Sequence, residues 1–454
     1  MLAKPNSLID REHEWAALAR FVERRSRLAI VYGPRRVGKS FLISALCEVA
    51  DGRSYQAITG VAATQLADFG RQLGSWLDAG ALRLDGWSDA AERLSRVKAP
   101  FVAIDELPYL LDGSPDLIGV LQRYVDAGDG PPLILAGSAM SVMSDLIGGR
   151  APLHGRAGTV IVPVPFAGKH LSALWEIDDP LRALWIDAAL GGRPGYRPLI
   201  APPGKDLDEW MVQEILAPGS PLLDAAEADL TDITTAAALR GIHRAILGAI
   251  SNGERTFSSI ARVAGLPSGA LSRPLAALER AGLATRVPDP LRTRRDRYEL
   301  ADPYLNFWLS IVSPSRSLLQ AGRAAEVWAR VRNSTWPSQV LGPRWETVVR
   351  AHLASGAIEQ TGPVDAVGVT TVSDPVLRRT HEVDMVAVRQ GNVVAIGEAK
   401  LRALTGTDLA RLLRIRQLLG APAATIVLAS ASRVETPPDA PAEIVSIEPT
   451  NVYA

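Results

Sequence analysis

One lysine, one serine and several acids stand at spacings that could do phosphate chemistry. Gly33, Pro34, Arg35, Arg36, Val37, Gly38, Lys39 and Ser40 spell Gly-x-x-x-x-Gly-Lys-Ser, directly after the apolar run Leu28–Tyr32 and before the helical pattern "SFLISALCEVA". A strand–loop–helix setting of this kind lets backbone N–H groups face phosphates, with Lys39 reaching the β- and γ-phosphates and Ser40 ligating Mg²⁺. ATP is therefore the expected cofactor. Further on, "FVAIDELPYL" carries Asp105 and Glu106 to the end of a buried strand. Asp105 is expected in the Mg²⁺ shell and Glu106 beside the attacking water, an acidic strand cap being the plain alternative. Ser138, at the tip of "LILAGSA", is placed to sense the γ-phosphate, although capping the next helix would use its hydroxyl nearly as well.

A second set of charges lies in "HEVDMVAVRQGNVVAIGEAK", residues 381–400. The pattern predicts a β-hairpin with a three-residue loop at Gln390–Asn392. Alternation then puts Glu382, Asp384, Val386 and Val388 on one face and sets Asp384 across from Glu398. Both faces of the hairpin are otherwise apolar, so solvation does not account for the charges. Opposed carboxylates repel unless a cation neutralises them; a divalent metal ion is the expected neutraliser, a structural ion-pair cluster with Lys400 being the alternative.

Both constellations need rigid elements beneath them. The chain has 454 residues, 47% of them hydrophobic and 22% charged, which is globular and more than one core can serve. Continuous apolar runs alternate with helical patterns over residues 1–165, predicting an α/β domain with a parallel sheet. Residues 166–235 lack strand runs and read as helices broken at "GGRPGYRPL", and 236–312 as a compact helical module. Residues 313–341 read as a connecting arm and 342–454 as a second α/β unit. Cys47 is the single cysteine, which leaves no intrachain disulfide or Cys-based zinc site. No apolar stretch approaches membrane-spanning length, so the expected compartment is cytoplasmic.

Within the third segment, "FSSIARVAGLPSGALSRPLAALERAGLATRVP" predicts a helix, a tight turn and a second helix, followed by the basic loop "DPLRTRRDR". That order is a helix-turn-helix with a wing. Ser268, Ser272 and Arg273 fall at the start of the second helix, where a major groove would be met. Arg292, Arg294, Arg295 and Arg297 in the wing suit phosphates. DNA is the expected partner. Lys+Arg and Asp+Glu are both 49, so any such contact must come from a local patch.

Taken together, "DREHEWAAL", "IDELPYL", "LAGS" and "APLHGR" resemble the AAA+/STAND-like ATPases first grouped as archaeal ATPases. The resemblance implies that Asp10–Trp15 borders the adenine and that Arg156 is an arginine finger, in trans if the chain forms a homo-oligomer. "GGRPGY" resembles the lid motif of this group, in which Arg193 fills the variable position. "VD…GEAK" resembles the PD-(D/E)XK nuclease signature, and the whole chain is similar to archaeal ATPases with a DUF234-type carboxyl-terminal domain. By that resemblance the C-terminal unit is restriction-endonuclease-like. Asp384 and Glu398 would ligate Mg²⁺ or Mn²⁺, Lys400 would activate water, and Glu346 and Gln417 would be accessory residues. The expected activity is ATP hydrolysis controlling DNA binding and a metal-dependent nuclease. The alternative is a STAND-type switch that binds DNA or a protein without cutting; winged helices in such ATPases also serve as internal regulatory modules.

Overall fold

A computed structural model describes residues 2–149, 151–231, 237–293, 295–432 and 443–454. The chain divides into two compact units, residues 1–165 with 193–195, and residues 166–192 with 196–454.

The first unit is built on five parallel strands, β1 (Leu28–Tyr32), β2 (Arg53–Gln56), β3 (Val102–Asp105), β4 (Leu133–Gly137) and β5 (Thr159–Ile161), in the order β2-β3-β4-β1-β5. Because side chains alternate faces, Leu28 and Ile30 enter one core with Phe69, Leu133 and Leu135. Ala29 and Val31 enter the other with Phe21, Leu42 and Ile134. Burial on both faces is why these runs are continuously apolar. The edge strand β2 escapes that pattern: of "RSYQ" only Tyr55 is buried. With β4 inserted between them, β1 and β3 end side by side with a gap, and the residues that follow each strand share one edge of the sheet. Gly38, at φ 99°, makes the left-handed turn that starts the helix Lys39–Ala50.

The second unit begins with helices, among them Lys169–Trp175 and Pro180–Leu190. Residues 313–341 are not an arm. They form the helices Ser313–Gln320 and Ala324–Val331 and a π-helical turn at Trp336–Leu341, and bury Trp328 and Trp336 against Trp185. The three indole rings, Trp328 edge-on to both Trp185 and Trp336, anchor this segment, whose composition suggests a linker. The winged-helix module carries the two-stranded antiparallel sheet β6 (Ala284–Val287) and β7 (Arg297–Leu300).

The last sheet has β8 (Ala366–Asp374), β9 (Arg379–Arg389), β10 (Asn392–Lys400), β11 (Thr425–Ser430) and β12 (Ile444–Ile447), in the order β12-β11-β10-β9-β8. The first three strands are antiparallel. The helix Gly406–Leu418 then crosses over so that β11 runs parallel to β10. The β9–β10 turn differs from expectation. Arg389 pairs with Asn392, so only Gln390 and Gly391 turn, both at positive φ. A bulge between Val393 and Ala395 adds the missing residue, and the register reaches Met385–Gly397 with Asp384 and Glu398 next on their strands.

A second irregularity breaks the expected alternation. Between Gly368 and Thr370 of β8, β9 advances from Val386 to Val383, one residue too many. Val383 and Val386 therefore share one core while Met385 and Ala387 face the other, and Asp384 sits at the bulge. Bulges of this kind re-aim a side chain. Gly397 is required where it stands, since a Cβ there would lie 2.5 Å from the Val427 carbonyl oxygen.

Candidate nucleotide site and carboxylate centre

At the P-loop, Lys39 is only 5% exposed, and its Nζ donates to the Gly33 (2.8 Å) and Pro34 (3.0 Å) carbonyls. Burial pushes its pKa down, with Glu106 and Asp105 opposing. Ser40 Oγ donates to Asp105 Oδ2 at 2.5 Å, which brings the two expected Mg²⁺ residues together. Asp105 is buried and its pKa is raised by that burial, against the hydrogen bond from Ser40. Glu106 begins the helix Leu107–Gly113 from a left-handed φ of 54°. A non-glycine residue held there stores strain, and strain of this kind concentrates at functional sites. Its Oε2 accepts from both the backbone N–H (3.0 Å) and the hydroxyl (2.9 Å) of Ser138. Ser138 therefore serves Glu106.

Arg35 donates to the Tyr109 hydroxyl at 3.1 Å, and Arg36 takes a left-handed φ of 64°. Val37 is fully buried, and its carbonyl accepts from the buried Arg11 at 3.0 Å, so the "DREHEW" segment braces the loop. Sequence reasoning passed over Arg193. It is 2% exposed, donates to the Arg35 carbonyl at 3.4 Å, and its charge helps lower the pKa of Lys39. Gly195 N–H donates to the Arg36 carbonyl at 3.0 Å, and a Cβ on Gly195 would lie 2.7 Å from that of Arg36. The glycines of "GGRPGY" were the available signal: they allow close backbone approach, here to the phosphate loop itself. Arg156 belongs elsewhere. It forms a two-pronged ion pair with Asp126 (2.6 and 2.8 Å) and donates to the Pro152 carbonyl.

In the C-terminal sheet, Asp384 (9% exposed), Glu398 (4%) and Lys400 do converge. Lys400 Nζ lies 3.1 Å from Asp384 Oδ2 and 3.0 Å from Glu398 Oε1, and the Ala399 N–H donates to Asp384 Oδ2 at 3.0 Å. Burial works against the Lys400 ammonium, but the two carboxylates outweigh it and its pKa is raised. Burial also raises that of Asp384, with Lys400 opposing. The other oxygen of Glu398 is held by Arg411, through Nε at 3.2 Å and through Nη2. The opposed carboxylates are thus neutralised by Lys400 and Arg411 rather than requiring a metal, and among the described residues no three His, Cys, Asp or Glu are grouped to hold one.

Glu346, on the helix Gly342–Ala354, does reach this centre. Burial and the nearby Asp384 push its pKa up to about 7, with Arg350 opposing. Arg350 itself donates to both oxygens of Glu299 at 2.7 Å and to the Asp384 carbonyl at 3.4 Å. Gln417 lies exposed further along the helix Gly406–Leu418, and the side chain of that helix that reaches Glu398 is Arg411. The carboxylate oxygens of Asp384 and Glu398 are of the hard kind that Mg²⁺ and Mn²⁺ take, but here Lys400 and Arg411 occupy them.

The helix-turn-helix forms with Thr256 and Ser259 in a reciprocal cap, a left-handed Gly265 in the turn, and the helix Ser268–Arg280 packed through Leu271, Leu275 and Leu278. Ser268, Ser272 and Arg273 are exposed. The wing is not free as expected. Arg292 donates to Thr371 of β8 at 3.2 Å, and Arg297 is ion-paired with Glu382 of β9. These arginines meet acceptors of the chain's own last sheet. Arg295 is exposed, and Arg294 lies outside the described residues.

Comparison with known proteins agrees in part with this geometry. Residues 239–295 match the MarR family, and residues 308–412 match a family described as "Archaea bacterial proteins of unknown function". An uncharacterised protein of Methanocaldococcus jannaschii is 24% identical over 331 residues, spanning 69% of this chain and 71% of its own length. Among solved structures, a Walker-type ATPase of Pyrococcus abyssi superposes with a TM-score of 0.50 at 19% identity, covering 68% of this chain and 98% of that one. The ORC2 protein of Aeropyrum pernix, in ADPNP–ADP complexes, gives 0.43 at 17% identity, covering 70% and 96%. The chain therefore has the α/β fold of a P-loop ATPase together with a MarR-like winged-helix segment.

Proposed function

We propose that this protein is an ATP-hydrolysing switch that engages DNA and carries a magnesium-dependent deoxyribonuclease centre in its C-terminal sheet. The observation that carries the ATPase reading is the joining of Ser40 to Asp105 and of Glu106 to Ser138 behind a buried Lys39. Lys39, held by two backbone carbonyls, would hold phosphate oxygens in their place, and Ser40 and Asp105 would hold the cation. Mg²⁺, when bound, neutralises charge developing on the phosphoryl oxygens. Glu106, oriented by Ser138, polarises the attacking water. DNA contact is supported by the exposed Ser268, Ser272 and Arg273, whereas Arg292 and Arg297 support an internal role for the wing.

The nuclease reading is supported by Lys400 bridging Asp384 and Glu398 with Glu346 beside them. By the resemblance, Asp384 and Glu398 would hold Mg²⁺, or Mn²⁺ in its place, with Glu346 an accessory residue, and Lys400 would activate water and stabilise charge at the phosphate. Plasmid incubated with the protein and Mg²⁺ or Mn²⁺, with and without ATP, tests this: nicking lost in Asp384→Asn protein is expected, and intact plasmid throughout rejects it. One observation favours the second reading, a switch that binds DNA or a protein without cutting. Lys400 and Arg411 already satisfy Glu398. A homo-oligomer with Arg156 acting in trans would require that residue to exchange Asp126 for a neighbour's nucleotide.

A further inference from the structure

The wing docks on the β8–β9 hairpin at one level of its ladder. Arg292 reaches Thr371 and Arg297 reaches Glu382, and these two acceptors face each other in the register. Thr370 donates to Asp289 of the wing beside them at 3.0 Å. The hairpin continues past this level to the pair Asp374–Arg379, roughly 10 Å further along the strands, and turns at residues 375–378. The turn is clamped from below. Asp374 is buried, its Oδ1 accepts the N–H groups of Val376 (2.9 Å) and Leu377 (3.0 Å), and Arg414 Nε donates to its Oδ2 at 2.9 Å. So held, Val376 is 77% and Leu377 52% exposed, Val376 being the most exposed large apolar side chain among the described residues. Arg378 and Arg379 follow at once, both exposed, and among the described residues neither has an acidic partner. Asp374, the single acid of residues 373–380, is turned inward.

Two apolar side chains held out in water gain nothing from the fold, and the cations beside them answer no charge of this chain. A fitting partner carries negative charge outside and an apolar slot within. The minor groove of duplex DNA has both: phosphates line it, and its base steps part to admit an apolar wedge. We propose that the β8–β9 tip is a second DNA contact that takes over the task of the wing, whose own Arg292 and Arg297 are held by the sheet. Val376 and Leu377 form the wedge, and Arg378 and Arg379 meet the phosphates on either side of it. This rests on the reading of the winged helix as a DNA-binding element.

The test titrates full-length protein into an end-labelled duplex at several salt concentrations and reads DNA bending from energy transfer between dyes at the two ends. Arg378→Gln with Arg379→Gln is expected to weaken binding and to reduce the slope of log K against log salt by about two. Val376→Ser with Leu377→Ser should leave that slope alone, weaken binding several-fold and abolish the bend. Suppose Arg273→Glu weakens binding while both tip variants match the parent in affinity, slope and bend. That result overturns the tip contact and leaves the winged-helix reading standing. A parent that binds no duplex overturns both. A reduced slope in the glutamine variant with parental affinity and bend in the serine variant overturns the wedge. Phosphatidylserine vesicles bound by the parent and released by the serine variant, with duplex binding untouched, would assign the tip to a membrane surface and overturn the proposal.

Discussion

Ser138 gives both its backbone N–H and its hydroxyl to one oxygen of Glu106. Two donors on one oxygen fix the carboxylate's rotation and leave Oε1 for water. Ser138→Ala keeps the N–H and loses the hydroxyl. ATP turnover is expected to fall roughly tenfold while ATP affinity stays unchanged, about the worth of one hydrogen bond to a charged group. Steady-state kcat against KM checks this; a change in KM alone would move Ser138 from positioning Glu106 to binding nucleotide.

Lys39 is a buried ammonium held by two carbonyls. Lys39→Met removes the phosphate-facing charge and its desolvation cost together. Binding of a fluorescent ATP analogue should be lost while the nucleotide-free melting temperature is no lower than the parent's. A large drop in melting temperature would make Lys39 structural.

The two basic surfaces of the winged helix should separate. Arg273→Glu is expected to weaken duplex binding for all sequences and to reduce the slope of log K against log salt by about one. Arg297→Glu faces Glu382 and should instead lower the melting temperature with DNA affinity unchanged. Titrations at several salt concentrations distinguish them, and the reverse pattern would restore the wing as the DNA surface.

Glu346 supplies a pH signature. Its pKa is raised to about 7 in the fold from an ordinary 4.5, by burial first and then by Asp384. The folded chain thus holds a proton that the unfolded chain has already released between those values. The stabilisation is complete below about 4.5 and is lost as pH rises through 7. Metal-free Glu346→Gln protein should therefore lose less melting temperature than the parent between pH 5 and 8. Parallel curves would contradict the raised pKa.

The nucleotide site was legible because its signal is local: a glycine spacing, a lysine, and acids at the end of an apolar run. The carboxylate centre was legible as a set of residues but not as a path. The two-residue turn and its bulge compensate each other, so Asp384 and Glu398 reach the same level by a route that alternation could not foresee. Arg411 and Arg193 went unread because their partners lie 13 and 158 residues away. Neither separation has a periodicity that betrays it. The wing arginines misled for the matching reason: a basic loop looks the same whether its acceptors are phosphates or the chain's own β8 and β9.

The central claim is hydrolysis driven by Glu106 at a site that Lys39 assembles. Phosphate release from MgATP should be measured for the parent and for Glu106→Gln, with ATP binding followed in the same samples. Glu106→Gln is predicted to bind ATP as the parent does and to turn it over about a hundredfold or more slowly. Equal rates in the two proteins would contradict the account.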